Sequence, residues 1–175
     1  MTVAHLYEGW ARVQKRLMTR LPLLTDHDLA LSGTVEGWPV WAIVSHIAGG
    51  RVYWLCGVCG ESGRETTPFR GPVDQGWEDT LDVPRGSREL IEAIESTWRI
   101  VESCLDLWTP QMLEVAFERT WGEQVQRHTR SSVLTRLVMH DAFHAGEVSQ
   151  ILGRNGLASL DPWEITNPDK VEGRP

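Results

Sequence analysis

Three histidines carry the chemistry this sequence offers. Val133, Leu137, His140, His144, Glu147 and Ile151 follow one another at steps of four, three, four, three and four, which places them on one face of a helix that turns once per 3.6 residues. The face begins and ends with aliphatic residues, so it points into a core, and His140 and His144 lie one turn apart on it. Two imidazoles at this spacing can converge on one cation. A third is available in an earlier helical stretch, where His46 shares a face with Ile43, Gly50 and Tyr53; Gly50, having no side chain, leaves room beside a ring. Three neutral imidazoles and an open position describe a reactive metal site. The same residues could instead be buried histidines with separate hydrogen-bond partners, each needed because an unpaired buried polar group costs about 1–3 kcal/mol. Spacing alone leaves both readings open.

Other reactive patterns are weaker. Cys56-Gly-Val-Cys59 ends the second helical stretch, where the helix dipole opposes thiolate formation; redox pairs sit at the opposite end. No second such pair is present to complete a structural zinc site, and Cys104 reads as packing. There is no nucleophile elbow and no phosphate-cradling glycine loop. His5, His27 and His128 read as surface residues. Asp141, beside His140, diverges from it by about 100° around the helix, which makes it an outer partner or a solvent-facing group rather than a ligand.

The elements that must position these side chains follow from hydrophobic periodicity. Leu6, Trp10, Val13 and Leu17 predict a helix over about residues 3–21, with Pro22 beyond it. A second runs from about Pro39 to Cys59, with Ile43, Ile47, Tyr53 and Trp54 facing inward. Glycines and prolines punctuate residues 60–86, a connection too long for a turn and long enough for a crossover. The third helix, about Ser87 to Leu107, carries the stripe Leu90, Ile94, Trp98, Val101, Leu105 and Trp108, with Ser87 as N-cap and Pro110 after it. Residues 115–128 alternate around Trp121-Gly122-Glu123, consistent with a short hairpin. The fourth helix starts near Ser131 or Ser132 and stops near Gly153, before Asn155-Gly156; the tail from Ala158 is expected along the surface. The fold class is therefore all-α: a four-helix bundle in a single domain spanning residues 1–175, with a long crossover between helices 2 and 3 and a short hairpin before helix 4.

Composition narrows the partners. With 24 acidic against 17 basic residues the formal charge is −7, and no Lys/Arg cluster offers the counterion release that drives nucleic-acid binding. Neither nucleic acid nor an anionic membrane is an expected partner. No apolar run reaches the roughly 18–20 residues of a membrane span, the N-terminus lacks the features of a secretory signal, and three cysteines are too few for a disulfide framework. A cytoplasmic, reducing compartment is expected. Of nine tryptophans, Trp10, Trp38, Trp41, Trp54 and Trp98 fall in helical stretches; core packing accounts for most of them, and a wall for an apolar ligand is the alternative.

The segment Met139-His-Asp-Ala-Phe-His-Ala-Gly-Glu-Val-Ser-Gln-Ile-Leu-Gly153 resembles the last-helix signature of the DinB-like superfamily, as does Trp41-Ala-Ile-Val-Ser-His-Ile-Ala48 with its histidine. The resemblance covers essentially the whole chain. It implies a four-helix bundle, often a homodimer, with a zinc or nickel ion held by three histidines, which map onto His46, His140 and His144. Because the superfamily includes bacillithiol S-transferases and mycothiol-dependent maleylpyruvate isomerase, it also implies a thiol-dependent S-transferase or isomerase. Such an enzyme would use a low-molecular-weight thiol and act on a small electrophile. A metal-dependent hydrolase and a non-catalytic metal-binding stress-response protein are the alternatives. The chain departs from the pattern at Glu147, where many members carry glutamine or another polar residue; this carboxylate could ligate the ion, orient a histidine or act as a base, or lie on the surface if the helix is slightly rotated. Arg51 and Arg136 are candidates, by position, for polar contacts near the mouth of the site.

Overall fold

A stretch that is apolar on one side must bury that side, and the chain contains several. The computed structural model, which describes residues 2–70 and 81–161, is mostly helical. In chain order it forms α1 (Glu8–Arg20), the single turn α2 (Asp26–Leu29), α3 (Val40–Val52), α4 (Ser87–Leu107), strands β1 (Ala116–Trp121) and β2 (Gln124–Thr129), and α5 (Arg130–Arg154). α3 is buried on nearly every side, as expected of a helix that is apolar all round. It packs on α4 and α5, and α1 closes the other side of the core against the same two helices.

Several boundaries differ from expectation for local reasons. Residues Ala4–Tyr7 form a tighter 3-10 turn ahead of α1, so Leu6, expected in the inward stripe, is 64% exposed while Val3 is fully buried. The acidic turn at Asp26-His27-Asp28 becomes α2 because Thr25 and Asp28 cap each other reciprocally. The second predicted helix leaves α geometry after Val52 and finishes as a wider π turn, Tyr53–Val58. Gly86, not Ser87, is the N-cap of α4; the Ser87 hydroxyl instead donates to the Leu21 carbonyl at 2.6 Å. α5 begins at Arg130 under a capping box of Thr129 and Ser132.

The hairpin is present, antiparallel, with Trp121 paired to Gln124 and Ala116 to Thr129. Gly122, at φ 58°, takes the first position of its two-residue turn, where a positive φ is required. The hairpin lies against the π turn and α5. In the connection between α3 and α4, Thr67 and Phe69 reach the core; residues 71–80, and the tail beyond Asp161 with its prolines, lie outside the described residues. No helix among the described residues is long and apolar enough to cross a membrane.

Among the described residues, the core holds one charge pair. Arg51 on α3 is fully buried and so is Asp141 on α5. The guanidinium donates from Nε to Asp141 Oδ2 at 2.8 Å and from Nη1 to Gln14 Oε1 of α1 at 2.9 Å, and at 3.3 Å to the Ile94 carbonyl of α4. Trp10 of α1 donates to the same Asp141 oxygen at 2.7 Å. Burial alone would raise the Asp141 pKa, but Arg51, His140 and Trp10 together hold it below the ordinary value. The sequence puts Arg51, by position, at the mouth of the site and Asp141 either as an outer partner or facing solvent; for Asp141 the outer-partner alternative holds, 3.5 Å from His140 Nδ1. The structure places Arg51 in the core instead, and it excludes solvent from Asp141. The α3 stretch is otherwise uncharged, so its single cation could be buried only with an anion beside it.

Candidate metal centre

α3 and α5 bring the three histidines together. His46 is half-buried on the side of α3 that meets α5, and His140 and His144 are half-buried on α5. Their ring centroids stand 4.7 Å (His46–His140), 5.0 Å (His46–His144) and 4.6 Å (His140–His144) apart, and one nitrogen from each lies within 4.8 Å of the other two. Gly50 makes this approach possible: a Cβ there would stand 3.1 Å from His140 Cε1.

A carboxylate stands beside the second nitrogen of two of these rings, within hydrogen-bond distance for His144 and farther off for His140. Glu147 Oε2 lies 3.0 Å from His144 Nδ1, and Asp141 Oδ1 lies 3.5 Å from His140 Nδ1. Both arrangements leave Nε2 directed away from the carboxylate, and His140 Nε2 is 2.9 Å from His46 Nε2. Burial lowers the His144 pKa and the neighbouring His140 adds to this, against the opposing pull of Glu147, so the ring favours its neutral, ligating form. Trp38 packs edge-on against His46, ring centroids 5.1 Å apart.

These residues fit a divalent cation. Two imidazole nitrogens each about 2.0–2.1 Å from one ion stand about 2.9–3.4 Å apart for bond angles between a right angle and tetrahedral, and the observed His46–His140 separation of 2.9 Å falls at that lower bound. A shared proton would account for this pair but not for the convergence of His144. Of the three roles considered for Glu147, the geometry matches the one that orients a histidine: its oxygen meets His144 Nδ1 and is not grouped with the three converging nitrogens.

A cavity of about 520 Å³ opens beside the centre. His140 and His144 form part of its wall, with Met139 and Phe143 alongside and Arg136, Thr135, Ser132 and His128 further along. Met139 and Phe143 are 66% and 70% exposed. His128 is therefore not a plain surface residue: it is half-buried, its ring is 5.0 Å from that of Trp54, and its Nε2 has no hydrogen-bond partner among the described residues. Burial, then Arg136 and Arg119, lower its pKa. His5 and His27 are exposed, as read from sequence.

The cysteines show the opposite of redox activation. Burial pushes Cys56 up to about 11 and Cys59 and Cys104 up to about 12, and all three are free thiols. The features missed in the sequence were His128, Trp38 and the Arg51–Asp141 pair. Only the last had a usable signal, a lone arginine in an apolar helix.

No family model matches this sequence, and neither does any curated protein. Solved structures do match. A DinB-like protein from Bacillus cereus ATCC 10987 superposes with a TM-score of 0.66 at 19% identity, over 91% of this chain and 96% of that one. A conserved protein from Enterococcus faecalis superposes with a TM-score of 0.59 at 16% identity, over 87% of this chain and 99% of that one. At such identities the likeness speaks for architecture, and the chain has the DinB-like fold.

Proposed function

We propose that the chain is a metal-dependent enzyme, built as a four-helix bundle, in which His46, His140 and His144 hold one zinc or nickel ion. The reaction proposed is transfer to or from a small thiol, with a small electrophile as the other reactant. The observation that carries the reading is the meeting of three half-buried imidazoles from two helices, one nitrogen of each within 4.8 Å of the others, beside a cavity of a size suited to a small ligand. An ion bound there supplies Lewis-acid chemistry, making a thiol or water nucleophilic at neutral pH and polarising an electrophile.

The chain's own residues do the rest. Glu147 meets His144 Nδ1 at hydrogen-bond distance, which directs that ring's Nε2 inward and favours one tautomer, while Asp141 places its charge 3.5 Å from His140 Nδ1. Met139 and Phe143 give the cavity an apolar side for the body of a small ligand. In an S-transfer the thiol gives up its proton to solvent, its sulfur bonds to the electrophilic carbon and the leaving group departs with the electron pair of the broken bond.

Protein purified without a histidine tag is expected to contain about one equivalent of metal per chain and to conjugate a thiol to a model electrophile. His140→Ala is expected to lose both. Conjugation that survives exhaustive chelation would overturn the reading. Consumption of the electrophile at equal rate without thiol would replace it with hydrolysis, and bound metal without either activity would replace it with a non-catalytic metal-binding role.

A further inference from the structure

The metal centre occupies one end of the cavity, and the other end has a character of its own. Ser132, Arg136, His140 and His144 recur every fourth residue along α5, so the cavity runs along a single stripe of that helix. Arg136 lies one turn before His140, about 5–6 Å along the axis. Its guanidinium carbon sits 4.6 Å from the centroid of the Trp54 ring, while Arg119 covers a ring of the same tryptophan at 5.1 Å. Stacking of this kind fixes the orientation of a guanidinium without using its hydrogen-bond donors. No carboxylate among the described residues pairs with Arg136, and none lines the cavity. In a chain of net charge −7, a held arginine facing a carboxylate-free cavity is a place for an anion.

We propose that this cavity selects small organic carboxylates, the carboxylate on Arg136 and the apolar body along Met139 and Phe143. The ligand's other end then reaches His140 and His144. That reach to the reacting end rests on the metal-dependent reading above; the anion site at Arg136 does not. A singly charged carboxylate fits better than a phosphate dianion. Among the described residues Arg136 is the one cationic side chain in the wall, because His128 is held toward its neutral form by burial and by the two arginines, and the capping box already engages Thr129 and Ser132 at the start of α5.

The test compares 4-phenylbutyrate with its uncharged amide by isothermal titration calorimetry, on metal-loaded and on chelated protein, with Arg136→Gln alongside. The acid is expected to bind about tenfold more tightly than the amide, in both metal states, and Arg136→Gln is expected to remove that preference while amide affinity and metal content stay unchanged. Equal affinity for acid and amide, or no binding of either, would overturn the assignment. A preference that persists in Arg136→Gln and vanishes on chelation would also overturn it, by moving the carboxylate to the ion. Loss of metal binding with the acid preference intact would instead sink the metal reading and leave the anion site standing.

Discussion

Position 50 shows how a single atom can trade stability against function. Glycine inside a helix costs about 1 kcal/mol relative to alanine, yet a methyl group there would press on the His140 ring at 3.1 Å. Gly50→Ala is therefore expected to leave the metal-free protein as stable or up to about 1 kcal/mol more stable, while weakening metal affinity about tenfold. Urea denaturation in chelator and a metal titration read the two effects separately. Asp141→Asn has a different signature, since it strands the buried Arg51 cation; a loss of about 3–5 kcal/mol is expected from the urea midpoint. For His128 the sign is set by its lowered pKa. The unfolded chain takes up the proton first as pH falls below the ordinary value of 6.5, so this contribution to stability is intact above that value and is lost on acidification. Stability measured in chelator is expected to fall less steeply from about pH 7.5 to 5.5 in His128→Gln than in the unsubstituted chain. The three converging histidines were legible in the sequence because helical spacing put each on an inward face. His128 was not, because its burial depends on where the hairpin docks, which spacing along the chain does not encode.

At the scale of elements, four long helices and the hairpin could be read from period and punctuation. What escaped was geometry that departs from a plain α-helix. The 3-10 turn before α1 moves Leu6 outward, and the π turn after Val52 begins the segment that carries Trp54 to the hairpin. Both conserve the apolar pattern while altering its rotation, so periodicity alone cannot detect them. α5 depends on its start: Thr129 Oγ1 accepts from the Ser132 amide at 3.1 Å and Ser132 Oγ accepts from the Thr129 amide at 2.9 Å. Thr129→Ala is expected to cost about 1 kcal/mol in the urea midpoint, with metal affinity unchanged because His140 lies well beyond the first turn.

For the whole molecule, an ion held by the proposed three-histidine centre would join α3 to α5 and bind the folded chain in preference to the unfolded one. At free metal about a thousandfold above its dissociation constant the folded state gains about 4 kcal/mol, so chelation is expected to lower the melting temperature and His140→Ala to abolish the dependence on metal. A melting curve indifferent to chelator would contradict this. Arg51 has a separate consequence. Its guanidinium is engaged by Gln14, Ile94 and Asp141, one from each of α1, α4 and α5. A half-assembled chain with α3 already collapsed onto a neighbour would trap that cation before its counter-charge, ninety residues further on, had arrived. Partial folds are thereby penalised, and the domain is built to assemble in one concerted event, with the loss of helix content and the shift in tryptophan emission following a single denaturation curve.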